Sequence, residues 1–158
     1  MRTDNRKVRN TVISIYFVLV IFAILLAAVF KSLDIYPDIT WYIIIGFFVV
    51  MILFYAIARY FEYDSDGDKV YIINKGLILT EYINYRGKQV EFARQELVNF
   101  RINNYLVYKA LVLTLKSKHG KLSKERFNVT LCKPKKLRYI RQSLRKIIKE
   151  NKTHKQQG

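Results

Sequence analysis

Two uncharged runs of 20 residues, Thr11–Phe30 and Ile39–Ala58, constrain this chain more than any other feature. A helix rises about 1.5 Å per residue, so each run spans about 30 Å, the thickness of bilayer hydrocarbon. The first reads TVISIYFVLVIFAILLAAVF. A cleaved signal peptide would have a shorter apolar region and a small-residue cleavage site. Here Lys31-Ser32-Leu33-Asp34 follows, which is a poor one. The second run reads ITWYIIIGFFVVMILFYAIA, with Trp41 and Tyr42 at its start and Tyr55 and Tyr60 near its end. That placement suits aromatic anchoring at two interfaces. Two segments in series, each apolar all round, argue against buried helices of a soluble protein.

The connection, Lys31 to Asp38, holds Pro37, so the two runs are expected to form a helical hairpin. Arg2, Arg6, Lys7 and Arg9 precede the first run. The loop holds only Lys31, beside Asp34 and Asp38, and Arg59 follows the second run. The bias of basic residues toward the cytoplasmic side places both termini in the cytoplasm. Neither run contains an ionisable acid, base or histidine, which disfavours an ion or proton path through the hairpin. Gly46 has Tyr42 and Val50 four residues away, so no small-residue pairing motif exists.

From Arg59 the pattern changes to short runs rich in Tyr, Val, Ile and Phe. Strands are expected at about Tyr60–Tyr63, Lys69–Asn74, Leu77–Asn84, Gln89–Phe92, Leu97–Ile102, Tyr108–Lys116 and Arg126–Cys132. Turn residues separate them at Asp64–Asp68, Lys75-Gly76, Arg86-Gly87-Lys88, Asn103-Asn104 and Lys118–Lys121. Leu111, Leu113 and Leu115 share one face, as do Phe127, Val129 and Leu131. After Pro134, Leu137, Ile140, Leu144, Ile147 and Ile148 recur at three- and four-residue spacing, the apolar stripe of an amphipathic helix. The final NKTHKQQG has no apolar residue and reads as a disordered tail.

Several antiparallel strands followed by one helix is the order of a pleckstrin-homology-like barrel. The stretch YIINKGLILTEYINYRGKQVEF, then ARQELVNFRI, resembles bacterial PH-like domains in strand order and turn placement. The whole chain resembles small bacterial membrane proteins with two transmembrane helices and a C-terminal PH-like domain. The expected architecture is thus an α+β membrane protein. It has a basic segment 1–10, a transmembrane hairpin 11–58, a PH-like antiparallel barrel 59–150 closed by its helix, and a tail 151–158. The resemblance implies a bacterial inner membrane and a binding or scaffold role. It carries over no catalytic residue and no cofactor.

The chemistry-bearing patterns are few. Asp64-Ser65-Asp66-Gly67-Asp68 looks like a calcium loop, but its sixth and twelfth positions are Lys69 and Lys75. His119, His154 and the single Cys132 give no zinc spacing. Cys132 has no base beside it and reads as a structural thiol. The glycines at 76, 87 and 120 are isolated turn residues and cradle no phosphate. The sequence therefore reads as a non-enzyme.

Charge is the remaining signal. The chain has 28 basic and 12 acidic residues, a formal +16. Arg59–Leu115 holds 8 basic and 7 acidic residues, whereas Lys116–Gly158 holds 15 and 2. Basicity concentrated at one end points to an anionic partner. Arg138, Arg141, Arg145, Lys146 and Lys149 are the candidate contacts, because the first three and Lys149 form one ridge along the helix. A solvated face is the bland alternative. The functional expectation is a membrane-anchored interaction or scaffold module, an accessory subunit contacting a membrane-protein partner and anionic lipid headgroups. The competing expectation is an RNA- or ribosome-facing module, although Tyr139 is the one aromatic on the basic helix.

Overall fold

A computed structural model of the chain describes residues 1–33, 37–76, 87–106, 108–117 and 120–156. Two helices, α1 (Arg6–Ser32) and α2 (Pro37–Ile57), are packed side by side. No residue of α1 is buried. Large apolar side chains such as Phe17, Phe22, Trp41 and Val50 stand exposed on the pair. A sleeve of apolar surface this long needs a cover. Among the described residues, α1 alone is long and apolar enough to cross a membrane; the described apolar stretch of α2 is Trp41–Ile52. The expectation of two spans is thus matched, in length and composition, by α1 alone.

The domain contains two antiparallel sheets. The first has the order β1 (Arg2–Asp4), β2 (Arg59–Asp64), β3 (Lys69–Gly76), β4 (Lys88–Ala93). The second has the order β5 (Leu97–Asn104), β6 (Lys109–Lys116), β7 (Leu122–Asn128). Helix α3 (Pro134–Gln156) covers the core between them. Phe61, Tyr63, Val70 and Ile72 come from the first sheet. Leu111, Leu113, Leu115 and Phe127 come from the second. Leu137, Ile140, Leu144 and Ile147 come from α3. The alternation in β6 and the stripe of α3 thus do what their spacing predicts.

Three expectations need correcting. The strands do not close into a barrel. Both edges of β2 are taken, one by β3 and the other by β1, and β4 passes to β5 through a single turn of 3-10 helix, Arg94–Glu96. The sheets meet at one corner, where the side chain of Asn74 bonds the backbone of Asn128. The basic segment 1–10 is also part of the fold, because Arg2–Asp4 pairs with Glu62–Asp64. The last strand ends at Asn128, four residues early: Thr130 N–H turns to Asn128 Oδ1 and Cys132 N–H to the Val129 carbonyl, a bend that leads into α3. Nor does the helix stop at 150. Asn151 donates to the carbonyls of Arg94 (2.7 Å) and Leu97 (3.0 Å), which pins the next turn in place, and α3 runs to Gln156. The expected strand Leu77–Asn84 lies outside the described residues.

Asn5 fastens the helices to the domain. It is almost wholly buried. Its N–H donates to the Phe61 carbonyl, its Oδ1 accepts from Phe61 N–H, and its Nδ2 donates to the Arg59 carbonyl. One side-chain amide thereby continues the β1–β2 ladder up to the first turn of α1. Arg9 lies over the Tyr60 ring, 5.5 Å from its centroid. Because β1 runs into α1 and α2 into β2, both helices leave the domain at the same end.

Candidate functional site: the arginine cleft between α3 and β5

The sequence of α3, PKKLRYIRQSLRKIIKENKTHKQ, is amphipathic because apolar and basic residues each repeat every three or four positions. Burying the first set on the core leaves Arg138, Arg141, Arg145, Lys146 and Lys149 exposed. Arg138, Arg141, Arg145 and Lys149 form the expected ridge. Lys146 reaches toward Glu150, 3.9 Å away, one helical turn on.

The structure places only part of that ridge in a concave setting. Arg141, Arg145 and Ile148 form one wall of an open cleft of about 400 Å³. The other wall is the outer strand β5, through Asn99, Phe100, Arg101 and Ile102. Phe100, Ile102 and Ile148 are half-buried against the core and make an apolar floor. Arg101, Arg141 and Arg145 are the cleft's basic lining residues, and all three are exposed. Arg138, Lys146 and Lys149 do not line the cleft. Among the described residues no acidic side chain lines it either.

Arg101 was not among the residues singled out from the sequence. It sits in β5 as one charge in LVNFRINN. The alternation that half-buries Phe100 and Ile102 gave its outward direction, but nothing local said that α3 would lie alongside. The β5 edge facing away from β6 has no partner strand among the described residues. There Phe100 N–H is held by Asn99 Oδ1 at 2.8 Å.

Chemically the lining combines forked donors with apolar side chains. Guanidinium groups suit carboxylate and phosphate oxygens, which they bind in bidentate fashion. Among the described residues no group of three His, Cys, Asp or Glu side chains could hold a metal ion. Cys132 is buried, and burial pushes its thiol up to about 12, so it stays protonated at neutral pH.

The axis of α3 bears on which anion can reach the ridge. Lys136 lies 3.7 Å from Asp4, beside the start of α1. Ser143 bonds Tyr63 and Ser65 near the far end of β2. Asn151 reaches Arg94, whose N–H is bonded to Asp68 in the β2–β3 turn. The helix therefore climbs away from the end that carries α1 and α2. Lys133, Lys135 and Arg138 are at its lower end, and the cleft is half-way up.

No family model, no curated protein and no solved structure matches this chain.

Proposed function

We propose that this chain is a membrane-anchored, PH-like, non-enzymatic interaction module. Its α3–β5 cleft holds an acidic segment of a membrane-protein partner, for which it serves as accessory subunit or scaffold. Both helices span the bilayer, bacterial inner membrane is the setting, and the domain hangs on the cytoplasmic side. The exposed apolar surface of both helices supports the anchoring. The Asn5 junction argues against a cleaved leader, because cleavage within α1 would separate β1 from the domain.

The observation that carries the reading is that Arg101, Arg141 and Arg145 line one cleft together with Phe100, Ile102 and Ile148. Three cations without an acid among them suit a segment that mixes carboxylates with apolar residues. Lipid headgroups fit the cleft less well, because α3 climbs away from the helix-bearing end. Lipid contact belongs to Arg6, Lys7, Lys133, Lys135 and Arg138, where each cation near an anionic surface contributes about 1 kcal/mol.

The test uses the full chain in nanodiscs of neutral lipid. A labelled peptide alternating Glu and Val should bind, and binding should weaken with salt, since exposed charges are screened within about 8 Å at physiological ionic strength. Replacing Arg101, Arg141 and Arg145 by Gln should weaken it roughly 3- to 100-fold, at about 0.2–1 kcal/mol per exposed pair. If the protein ignores the peptide and binds RNA with a steep salt dependence, the RNA-facing reading replaces this one.

A further inference from the structure

Between β5 and β6 the sequence is a run of apolar and aromatic residues in a basic domain, of which Tyr105, Leu106 and Tyr108 are described at the hairpin tip. Leu106 is wholly exposed and Tyr105 half so. Neither ring packs on the core. The two stack on each other, centroids 5.9 Å apart, and Tyr105 N–H closes the turn onto the Tyr108 carbonyl at 2.7 Å. Arg126, exposed on the neighbouring β7, lies 5.7 Å from the Tyr105 centroid and 5.3 Å from that of Tyr108. The tip is thus a small built unit: an aliphatic point, two aromatic shoulders and a cation behind them.

Its place on the domain gives it a use. The far end of the second sheet is fixed by Leu97, whose carbonyl holds Asn151, beside Arg94 and the β2–β3 turn. Its near end is fixed by Lys109, whose carbonyl holds Val129 N–H, and by Asn128, which bonds Asn74. Asn74 is two residues from Gly76, the partner of Arg59 at the foot of β2. The β5–β6 tip therefore projects from the end where α1 and α2 leave the domain. An exposed leucine between tyrosines elsewhere would be a solubility cost. At that end it faces a bilayer interface, where tyrosine rings settle at headgroup depth, aliphatic tips enter the acyl boundary and arginine reaches phosphate.

We infer that the hairpin tip formed by Tyr105, Leu106 and Tyr108 is a third membrane attachment: Leu106 enters the interface beside the two helices, the stacked tyrosines lie at headgroup level, and Arg126 meets lipid phosphate. The inference rests on the membrane reading above and adds a role to it. Two helices leaving one junction fix the domain's distance from the bilayer but leave it free to tilt. A third contact removes the tilt and holds the α3–β5 cleft in the aqueous phase.

The experiment is tryptophan emission of the full chain in nanodiscs containing lipid brominated near the headgroup end of its chains. Trp41, the one native tryptophan, reports whether the helices are inserted. A Trp41→Phe/Leu106→Trp variant reports the tip. A Trp41→Phe/Leu122→Trp variant reports the opposite end of the second sheet, where Leu122 is also exposed. The expected result is quenching of native Trp41, a blue shift and quenching for L106W, and water-like unquenched emission for L122W. Quenched Trp41 with water-like L106W overturns the attachment and leaves the anchored module standing. Equal quenching of L106W and L122W also overturns it, since the domain would then lie flat. Unquenched Trp41 overturns the membrane reading and the attachment together.

Discussion

Asn74 on β3 and Asn128 on β7 hold the two sheets together at one corner. Asn74 Nδ2 donates to the carbonyls of Asn128 (2.9 Å) and Tyr60 (3.1 Å), and Asn74 Oδ1 accepts from Asn128 N–H (3.2 Å). Both residues are buried. Asn74→Ala would remove all three of these hydrogen bonds from the buried corner, each contributing about 0.5–1.5 kcal/mol. The full chain in detergent should lose at least about 2 kcal/mol in urea unfolding, well above the effect of a neutral surface change. Asn74→Asp should be no better, because a carboxylate would face two carbonyl oxygens. A midpoint unchanged in both variants would show that the corner contributes nothing.

The stripe of α3 gives a second expectation. Leu144 is fully buried against both sheets. Leu144→Ala should cost about 2–5 kcal/mol, the usual range for a buried leucine. Tyr139, exposed one turn before Ser143, is the matched control; Tyr139→Ala should be close to neutral. Equal effects would mean that α3 is seated on a different face.

Cys132 makes stability depend on pH. Burial raises its thiol from 9.0 to about 12, so above 9 the unfolded chain releases a proton that the folded chain keeps. Stability is therefore full below 9 and is lost as pH rises toward 12. The slope within that window is about 1.4 kcal/mol per pH unit for one group. Tyr63, also raised by burial, adds its own loss above 10. Cys132→Ala should flatten the difference between about pH 9.5 and 10.5 by roughly 1.4 kcal/mol. Identical slopes for wild type and variant would contradict the buried-thiol assignment.

Orientation can be read by labelling intact cells. Ser32, at the C-terminal end of α1, lies opposite the domain, and Ser123 lies in β7. With Cys132 buried, Ser32→Cys should react with an impermeant thiol reagent from outside, and Ser123→Cys only after permeabilisation. The reverse pattern would place the domain outside and remove the case for cytoplasmic lipid contact.

What was legible in the sequence follows from the range of the interactions. The α3 stripe and the β6 alternation are set within one element, so Leu137 to Ile147 and Leu111 to Leu115 could be assigned to the core from spacing alone. The apolar run of α1 was equally plain. β1 was not, because Arg-Thr-Asp is too short and too polar for any period, and its partner lies about sixty residues on. Asn5 looks like an ordinary polar residue before a helix until Phe61 is beside it. The cleft was half legible. Arg141 and Arg145 announced themselves in a basic ridge, whereas Arg101 needed the packing of α3 along β5. The expected barrel failed for the same reason as β1 was missed: a strand from before the helices occupies the edge that closure would need.

That strand has a consequence for how the molecule is made. Arg2–Asp4 leave the ribosome before either helix, yet they pair with Glu62–Asp64, made after both. On the membrane reading proposed above, the pairing can form only once the second helix has returned the chain to the side from which the first departed. Were α2 left outside the bilayer or turned the wrong way, β1 and β2 would be stranded on opposite faces, Phe61 would lack Asn5, and the domain would begin with a bare edge. On that reading, closing β1 onto β2 proofreads insertion: a chain that crossed the membrane incorrectly could not finish folding.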